Sequence, residues 1–531
     1  MAPAVGMSSD ASTLPAGDGL LGGGDSRRWR LGRRAGVLAR AGIETRVAVL
    51  ALLFVVAGSL LLVVVSANRP SLLSPTTHAN FFPHWMAGPL GGLWPGLTSN
   101  GTTLRWVFTG AILAMYLAYV VALRYAGRLQ ARWVIGAILA VHVIFLVAPP
   151  LALTDVFNYI NYGRMEIVHH LNPYTTIPIS EPHSDPSFAL SNWHQLLSPY
   201  GPLFTLLTFA VVPLGVAGSF WALKCILAVA SLATIYLVWS CARLLGRDPV
   251  AAIVLVGLNP IVLVWGLGGD HNDFLTMFLI VLAFYLLLRA RAAGTAGGRT
   301  LQPAPGAQAT SLLERTRGWL LPLSPTEIGA GVAFVTAAAI KASAGILIPV
   351  VLVGLLRAPR RLTQVVLGMA VAGAVIALVS TVAFGLHIPD LNTQSRLVTN
   401  ESVPNLIGLL IGVGGENDSV RVVMSAILGV SLLLCCAMAW RRRDSLGASG
   451  WASVALLVTL SWVLPWYVLW VLPLAALAGS RRLRNVALVV GVYLIVAWAP
   501  ASTLIWNAIG FHPEKTPLGR LHQRYVKELL Y

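Results

Sequence analysis

The chain is 531 residues long, 56% hydrophobic and only 11% charged. Soluble domains carry about 25% charged residues, so these proportions exclude a water-exposed globule. The net charge of +17 rests on 37 cations, 33 of them Arg, gathered in short clusters between apolar runs. That is the positive-inside arrangement that orients membrane helices, and it argues against nucleic acid as a partner.

In chain order, residues 1–46 are rich in Gly, Ala, Ser and Arg and read as a disordered cytoplasmic tail. Apolar runs sized for a ~30 Å hydrocarbon core follow at 47–66 and 104–123, two accessory spans within 47–132. The region 133–505 carries further spans at 133–151, 220–240, 250–267, 274–288, 328–340, 343–356, 363–384, 420–440, 451–464, 466–478 and 486–504. A Gly/Ala/Arg-rich linker lies around 292–308, and 506–531 form a C-terminal extracytoplasmic tail. The expected fold is therefore an all-α polytopic membrane protein of about 13 transmembrane helices with long extracytoplasmic loops.

The segment 200–213 is apolar but only 14 residues long, and reads as a re-entrant or interfacial helix. Counting it as a span would put Arg243 and Arg247 outside. With this topology the inner side collects 26 of the 37 cations and the outer side 12 of the 20 acidic residues. The outer loops 67–103 and 152–199 are long and dense in Trp, His, Tyr and Pro, so the working face is expected outside. The four Cys (Cys225, Cys241, Cys435, Cys436) show no metal-ligand spacing, and structural disulfides are not expected.

Three constellations carry chemistry. In Leu153-Thr154-Asp155-Val156-Phe157-Asn158-Tyr159-Ile160-Asn161-Tyr162-Gly163-Arg164, a helix would put Asp155, Tyr159 and Tyr162 on one face. A carboxylate beside aromatic rings suits a general base acting on a sugar hydroxyl, and equally a helix cap with interfacial Tyr anchors. Gly268-Gly269-Asp270-His271-Asn272-Asp273 sets two carboxylates around one His in a Gly-softened turn, suited to a metal, a phosphate-bearing ligand or sugar hydroxyls, or to a plain polar loop. Lys341 interrupts Ala337-Ala338-Ala339-Ile340 and Ala342-Ser343-Ala344-Gly345. Either one long helix buries it, or two short helices turn there; in both cases it can meet a lipid phosphate or snorkel to a headgroup. Arg164, Lys224, Arg396 and Arg421 are further cations at the outer boundary. His170-Leu171-Asn172-Pro173-Tyr174, Ser198-Pro199-Tyr200-Gly201-Pro202-Leu203 and Pro465-Trp466-Tyr467 break helices at the interface and hold rings there.

Taken in order, Asp155-Val156-Phe157-Asn158-Tyr159, Asn172-Pro173-Tyr174, Tyr200-Gly201-Pro202-Leu203, Leu258-Asn259-Pro260, Gly268 to Asp273, Ile340 to Gly345 and Pro465-Trp466-Tyr467 resemble a known family. It is the actinobacterial polyprenol-phosphate-mannose-dependent α-1,6-mannosyltransferases, GT-C class membrane enzymes of lipomannan and lipoarabinomannan synthesis. The resemblance runs from about Trp133 to the end of the last span. It departs from the family at Asp270, where a small residue is usual, and at Asn161-Tyr162-Gly163-Arg164.

The resemblance implies Asp155 as catalytic base and Lys341 at the phosphate of a lipid-linked donor. His271 and Asp273 would line the sugar site, with Tyr159, Tyr162, Arg164, Tyr174, Tyr200, Trp466 and Tyr467 as further substrate-binding candidates. The partners are then a polyprenyl-phosphate-sugar donor and a glycolipid or mannan acceptor, and the enzyme is a hexosyltransferase of the plasma membrane with its site facing outward. A polyprenyl monophosphate leaving group can be stabilised by fixed cations, so no metal or other cofactor is expected. The readings from other classes are a lipid-linked sugar transporter or flippase and a ligase that moves a preassembled glycan; within the class, arabinosyl or glucosyl donors are the alternatives.

Overall fold

The computed structural model describes residues 23–68, 83–93, 101–151, 155–297 and 323–530. Among these residues every regular element is helical and none is a strand. The helices of the first half are α1 (Gly23–Asn68), α2 (Gly101–Arg124), α3 (Ala131–Leu146), α4 (Asp155–His169), α5 (Pro202–Val211) and α6 (Gly215–Leu244). α7 (Pro249–Gly257), α8 (Asp273–Gly297), α9 (Pro325–Ile340), α10 (Leu347–Leu355) and α11 (Pro359–Phe384) follow. The chain ends in α12 (Val403–Leu410), α13 (Asp418–Arg442), α14 (Ser445–Thr459), α15 (Leu472–Ala478), α16 (Arg481–Trp498), α17 (Ser502–Ala508) and α18 (Pro517–Leu530).

Six of the described helical stretches are long and apolar enough to cross a membrane: Gly42–Ala67, Gly101–Arg124, Pro202–Leu244, Asp273–Ala293, Pro359–Phe384 and Asp418–Arg442. α16 and α17, bent by 77°, make a seventh if they form one broken span. The other expected spans fall on shorter apolar helices or broken ones. At 250–267 the break has a local cause: Pro260 has no N–H to donate, and Asn259 Oδ1 accepts from the amides of Ile261 (3.0 Å) and Val262 (3.3 Å). α7 stops there and the chain resumes as a π-helical turn, Val262–Leu267.

Two stretches expected to be irregular overlap helices. α1 runs without a break from Gly23 into the first apolar run, and residues 1–22 of the expected tail lie outside the described ones. α8 continues to Gly297, and residues 298–308 of the expected linker lie outside as well.

α9 packs between α8 and α11, α6 packs on α8, and α1 on α2. Side chains such as Val371, Val375, Leu378 and Val382 on α11, and Val422, Leu433 and Leu434 on α13, stay exposed and apolar. An apolar outer face is what a helix bathed in lipid presents. Two smaller devices place the site. Gly201 stands just before α5; a Cβ there would lie 2.1 Å from the Ala339 carbonyl, and the Gly201 amide donates to the Ile340 carbonyl at 3.1 Å. This contact clamps the start of α5 onto the end of α9. α9 itself stops because Lys341 is extended (φ −148°, ψ 117°), and a 3-10 turn, Ala342–Ile346, leads into α10. Of the two arrangements open for this segment, the protein has two short helices with Lys341 at the turn.

Candidate active site

α4, the 268–273 turn, the α9–α10 break and the 3-10 turn Pro465–Trp470 converge on one cavity of about 610 Å³. Its wall includes Asp155, Tyr159, Tyr200, His271, Asp273, Lys341, Trp466 and Tyr467. Asp155 is the first residue of α4, where a carboxylate complements the helix dipole, and its side chain is 19% exposed. His271 Nδ1 lies 3.1 Å from Asp155 Oδ2. The His271 ring stacks on Trp466, with centroids 3.5 Å apart and planes within 7°. One ring nitrogen thus faces the carboxylate, while Nε2 is buried without a hydrogen-bond partner.

The local sequence explains how His271 gets there. Asp270 is left-handed (φ 59°), a conformation Asp tolerates better than most residues. At Gly269 a Cβ would lie 2.3 Å from the Trp265 carbonyl and 2.5 Å from His271 Nε2, so only glycine leaves room for the ring. Behind the turn, Lys224 Nζ reaches both Asp270 oxygens at 3.1 and 3.2 Å, with both side chains almost wholly buried. Tyr159 Oη accepts from the Asn272 amide at 3.4 Å and packs edge-on against Tyr200 and Phe204.

Lys341 Nζ donates to both oxygens of Asp273 at 2.8 Å. The Trp470 indole donates to Asp273 Oδ1 at 2.5 Å. The ammonium also lies 4.7 Å from the Tyr467 ring and 5.2 Å from that of Trp470, and those two rings stack at 4.1 Å. An ammonium has three N–H donors, so one remains after Asp273 takes two. The cavity therefore presents a carboxylate and a cation held in place by separate partners, between aromatic walls.

Three expected site residues sit elsewhere. Tyr162 donates its hydroxyl to the Leu196 carbonyl at 2.6 Å, and Tyr174 donates to the Tyr200 carbonyl at 2.7 Å. Arg164 is committed to Asp185 through three contacts of 2.9 to 3.1 Å. His169 at 2.7 Å and Ser187 complete that cluster. Burial alone would raise the Asp185 carboxyl; the donors from Arg164, Ser187 and His169 outweigh it and hold it well below the usual carboxylate range. Glu181 nearby goes the other way, pushed by burial up to about 8, with Asn161 opposing. These residues fix the outer loop and do not line the cavity.

Conversely, the wall includes Asn192, Trp193, Asn272, Trp462 and Trp470, together with Val526 and Leu530 of α18. Trp462 and Trp470 bracket the Pro465-Trp466-Tyr467 motif, a run of rings whose density was the available signal.

Residues 50–357 match the family model described as "Alpha-(1->6)-mannopyranosyltransferase, N-terminal domain", and 400–510 match "MptB C-terminal domain". The chain is 27% identical over 427 residues to a probable alpha-(1->6)-mannopyranosyltransferase of Mycolicibacterium smegmatis, covering 74% of each. It is 27% identical over 391 residues to alpha-(1->6)-mannopyranosyltransferase A of Mycobacterium tuberculosis, covering 67% of each. With the Corynebacterium glutamicum alpha-(1->6)-mannopyranosyltransferase A it shares 24% identity over 429 residues, 68% of this chain and 78% of the relative. No solved structure matches.

Proposed function

The chain belongs to the alpha-(1->6)-mannopyranosyltransferase family, and from that premise we propose that it moves a mannosyl residue from a polyprenyl-phosphate-mannose donor to an α-mannan acceptor of the lipomannan type. The reaction takes place on the extracytoplasmic side of the plasma membrane. The observation that carries this reading is the pairing, in one cavity, of Asp155 beside His271 with Lys341 held by Asp273. The proposed architecture is a GT-C-type bundle of about 13 helices. Residues 47–132 are accessory spans, 133–505 the catalytic region and 506–531 an extracytoplasmic segment.

The acceptor hydroxyl attacks the anomeric carbon from the face opposite the phosphate. The new oxygen–carbon bond forms as the carbon–oxygen bond to phosphate breaks, and its electron pair leaves with the polyprenyl phosphate. Asp155 takes the hydroxyl proton and later yields it to water. Lys341 directs its remaining N–H at the leaving phosphate, where charge develops. A β-linked donor then gives an α-product by inversion. Two hydrolase-type carboxylates are not needed, because the donor is already activated.

The test is transfer from radiolabelled polyprenyl-phosphate-mannose to a short α-mannoside by the purified full chain in detergent, with and without EDTA. Asp155→Asn and Lys341→Ala are run beside the unaltered protein. Transfer that survives EDTA and is lost in Asp155→Asn supports the metal-independent inverting reaction. A folded protein with no transfer from this donor overturns the choice of substrate, and full activity in Asp155→Asn overturns the choice of base.

A further inference from the structure

The C-terminal helix α18 lies beyond both regions matched by the family models, yet Val526 and Leu530 line the same cavity as Asp155 and Lys341. It is no loose tail. The Gln195 amide donates to the Leu529 carbonyl at 3.2 Å, and the Tyr525 hydroxyl to the Thr393 carbonyl at 3.3 Å. Leu529 is buried in a small cluster with Leu196 and Leu397, against which Trp193, Trp462, Tyr525 and Val526 pack. One helix thus joins the outer loop before α5, the segment before α12 and the segment after α14 over the cavity.

The cavity lining is chemically mixed. It carries the charged residues Asp155, Asp273 and Lys341 and also Trp193, Trp462, Leu397, Val526 and Leu530, all but the last from one apolar cluster. Trp193 and Trp462 meet edge to face at 6.3 Å, and Asn192 and Gln394 bring amides to the lining of the same cavity. Ring faces with amides at their rim are the chemistry that holds a pyranose, whose C–H patch stacks while its hydroxyls bond. A lipid chain would need no amides there. The cations Arg520, Arg524 and Lys527 of α18 are all exposed, so its charge faces away from the cavity.

Resting on the proposed reaction, we infer that α18 completes an acceptor subsite: Trp193 and Trp462 stack the acceptor sugar, and Val526 and Leu530 limit how long an acceptor the cavity admits. This makes α18 a specificity-determining element supplied from outside the family-matched regions.

The test compares initial rates of the full-length protein and the variants Val526→Trp and Leu530→Ala. The donor is polyprenyl-phosphate-mannose, and the acceptors are synthetic α-1,6-linked mannosides of two, three and four sugars. The added ring in Val526→Trp should raise the acceptor KM about tenfold or more and favour the shortest acceptor, with the donor KM held within about twofold. Leu530→Ala removes bulk and should shift preference to longer acceptors; it carries the test if Val526→Trp does not fold. Active variants whose acceptor KM and length preference match those of the unaltered protein overturn the subsite. Donor and acceptor KM rising together also overturns it, by making α18 a donor wall. Absence of transfer in the unaltered protein sinks the proposed reaction itself and the subsite with it, a result distinct from altered variants beside an active parent.

Discussion

His271 Nδ1 lies 3.1 Å from Asp155 Oδ2 while the same ring lies flat on Trp466 at 3.5 Å. The stack fixes the plane of the imidazole, and the plane decides that one nitrogen faces the carboxylate. A base must hold its oxygen within hydrogen-bond reach of the proton it takes, so in the proposed reaction His271 is a positioning residue that acts through Asp155. Asp155→Asn should lower kcat about 10²–10⁴-fold, the usual worth of general acid–base catalysis. His271→Ala should cost less, because the carboxylate remains. Rate assays on both variants check the order; His271→Ala proving the more damaging would reverse the two roles.

Lys341 and Asp273 make a bidentate contact at 2.8 Å, with 22% of the lysine side chain and 1% of the aspartate exposed. Removing the lysine strands a buried carboxylate and removes the cation from the cavity. Lys341→Ala should cut kcat/KM for the donor about a hundredfold or more, and Lys341→Arg should not restore it, since a planar fork does not reproduce a compact ammonium beside the Tyr467–Trp470 stack. Donor saturation curves for the two variants decide this. An unchanged donor KM and kcat in Lys341→Ala would remove the lysine from phosphate binding.

Much of the cavity lining was legible because polar chemistry stands out in apolar sequence. Asp155, the 268–273 turn, Lys341 and Trp466-Tyr467 each interrupt hydrophobic runs and meet at one cavity. Tyr162 shows where helical periodicity runs out. Seven residues return a side chain to nearly the same face, but they also advance it about 10.5 Å along the axis, and Tyr162 ends up on the Leu196 carbonyl. Arg164 looked free because its partner Asp185 is 21 residues away, a pairing no local pattern encodes. α18 falls in the segment expected as an extracytoplasmic tail, and its Leu518, His522, Tyr525, Val526 and Leu529 recur at helical spacing.

Lys224 and Asp270 form an ion pair with side-chain exposures of 1% and 2%. Breaking such a pair from one side leaves an uncompensated buried charge, at a cost of about 3–5 kcal/mol. Lys224→Met should therefore lower the Tm in detergent strongly, and adding Asp270→Asn should recover most of the loss while keeping a residue that tolerates the left-handed turn. Thermal unfolding of the single and double variants measures this. A double variant no more stable than Lys224→Met would show that the charge balance of the pair is not what supports the turn.

The outer loop should make stability fall as pH rises through the neutral range. Burial pushes the Glu181 carboxyl up to about 8, and burial likewise pushes Glu401 up to about 7. An unfolded Glu titrates near 4.3. Between that value and the raised ones the folded chain binds more protons than the unfolded chain, so each step up in pH works against the fold. The penalty is absent below the unfolded pKa and complete above about 8 for Glu181. Glu181→Gln cannot ionise, so it should raise the Tm at pH 8, leave it nearly unchanged at pH 5, and flatten the curve between them. Asp185 acts in the opposite sense, but its window lies at acid pH, since Arg164, Ser187 and His169 hold it low against its burial. Thermal scans at half-unit steps from pH 5 to 8.5 on both proteins separate the cases. Parallel curves would mean that the Glu181 carboxylate is solvated once ionised.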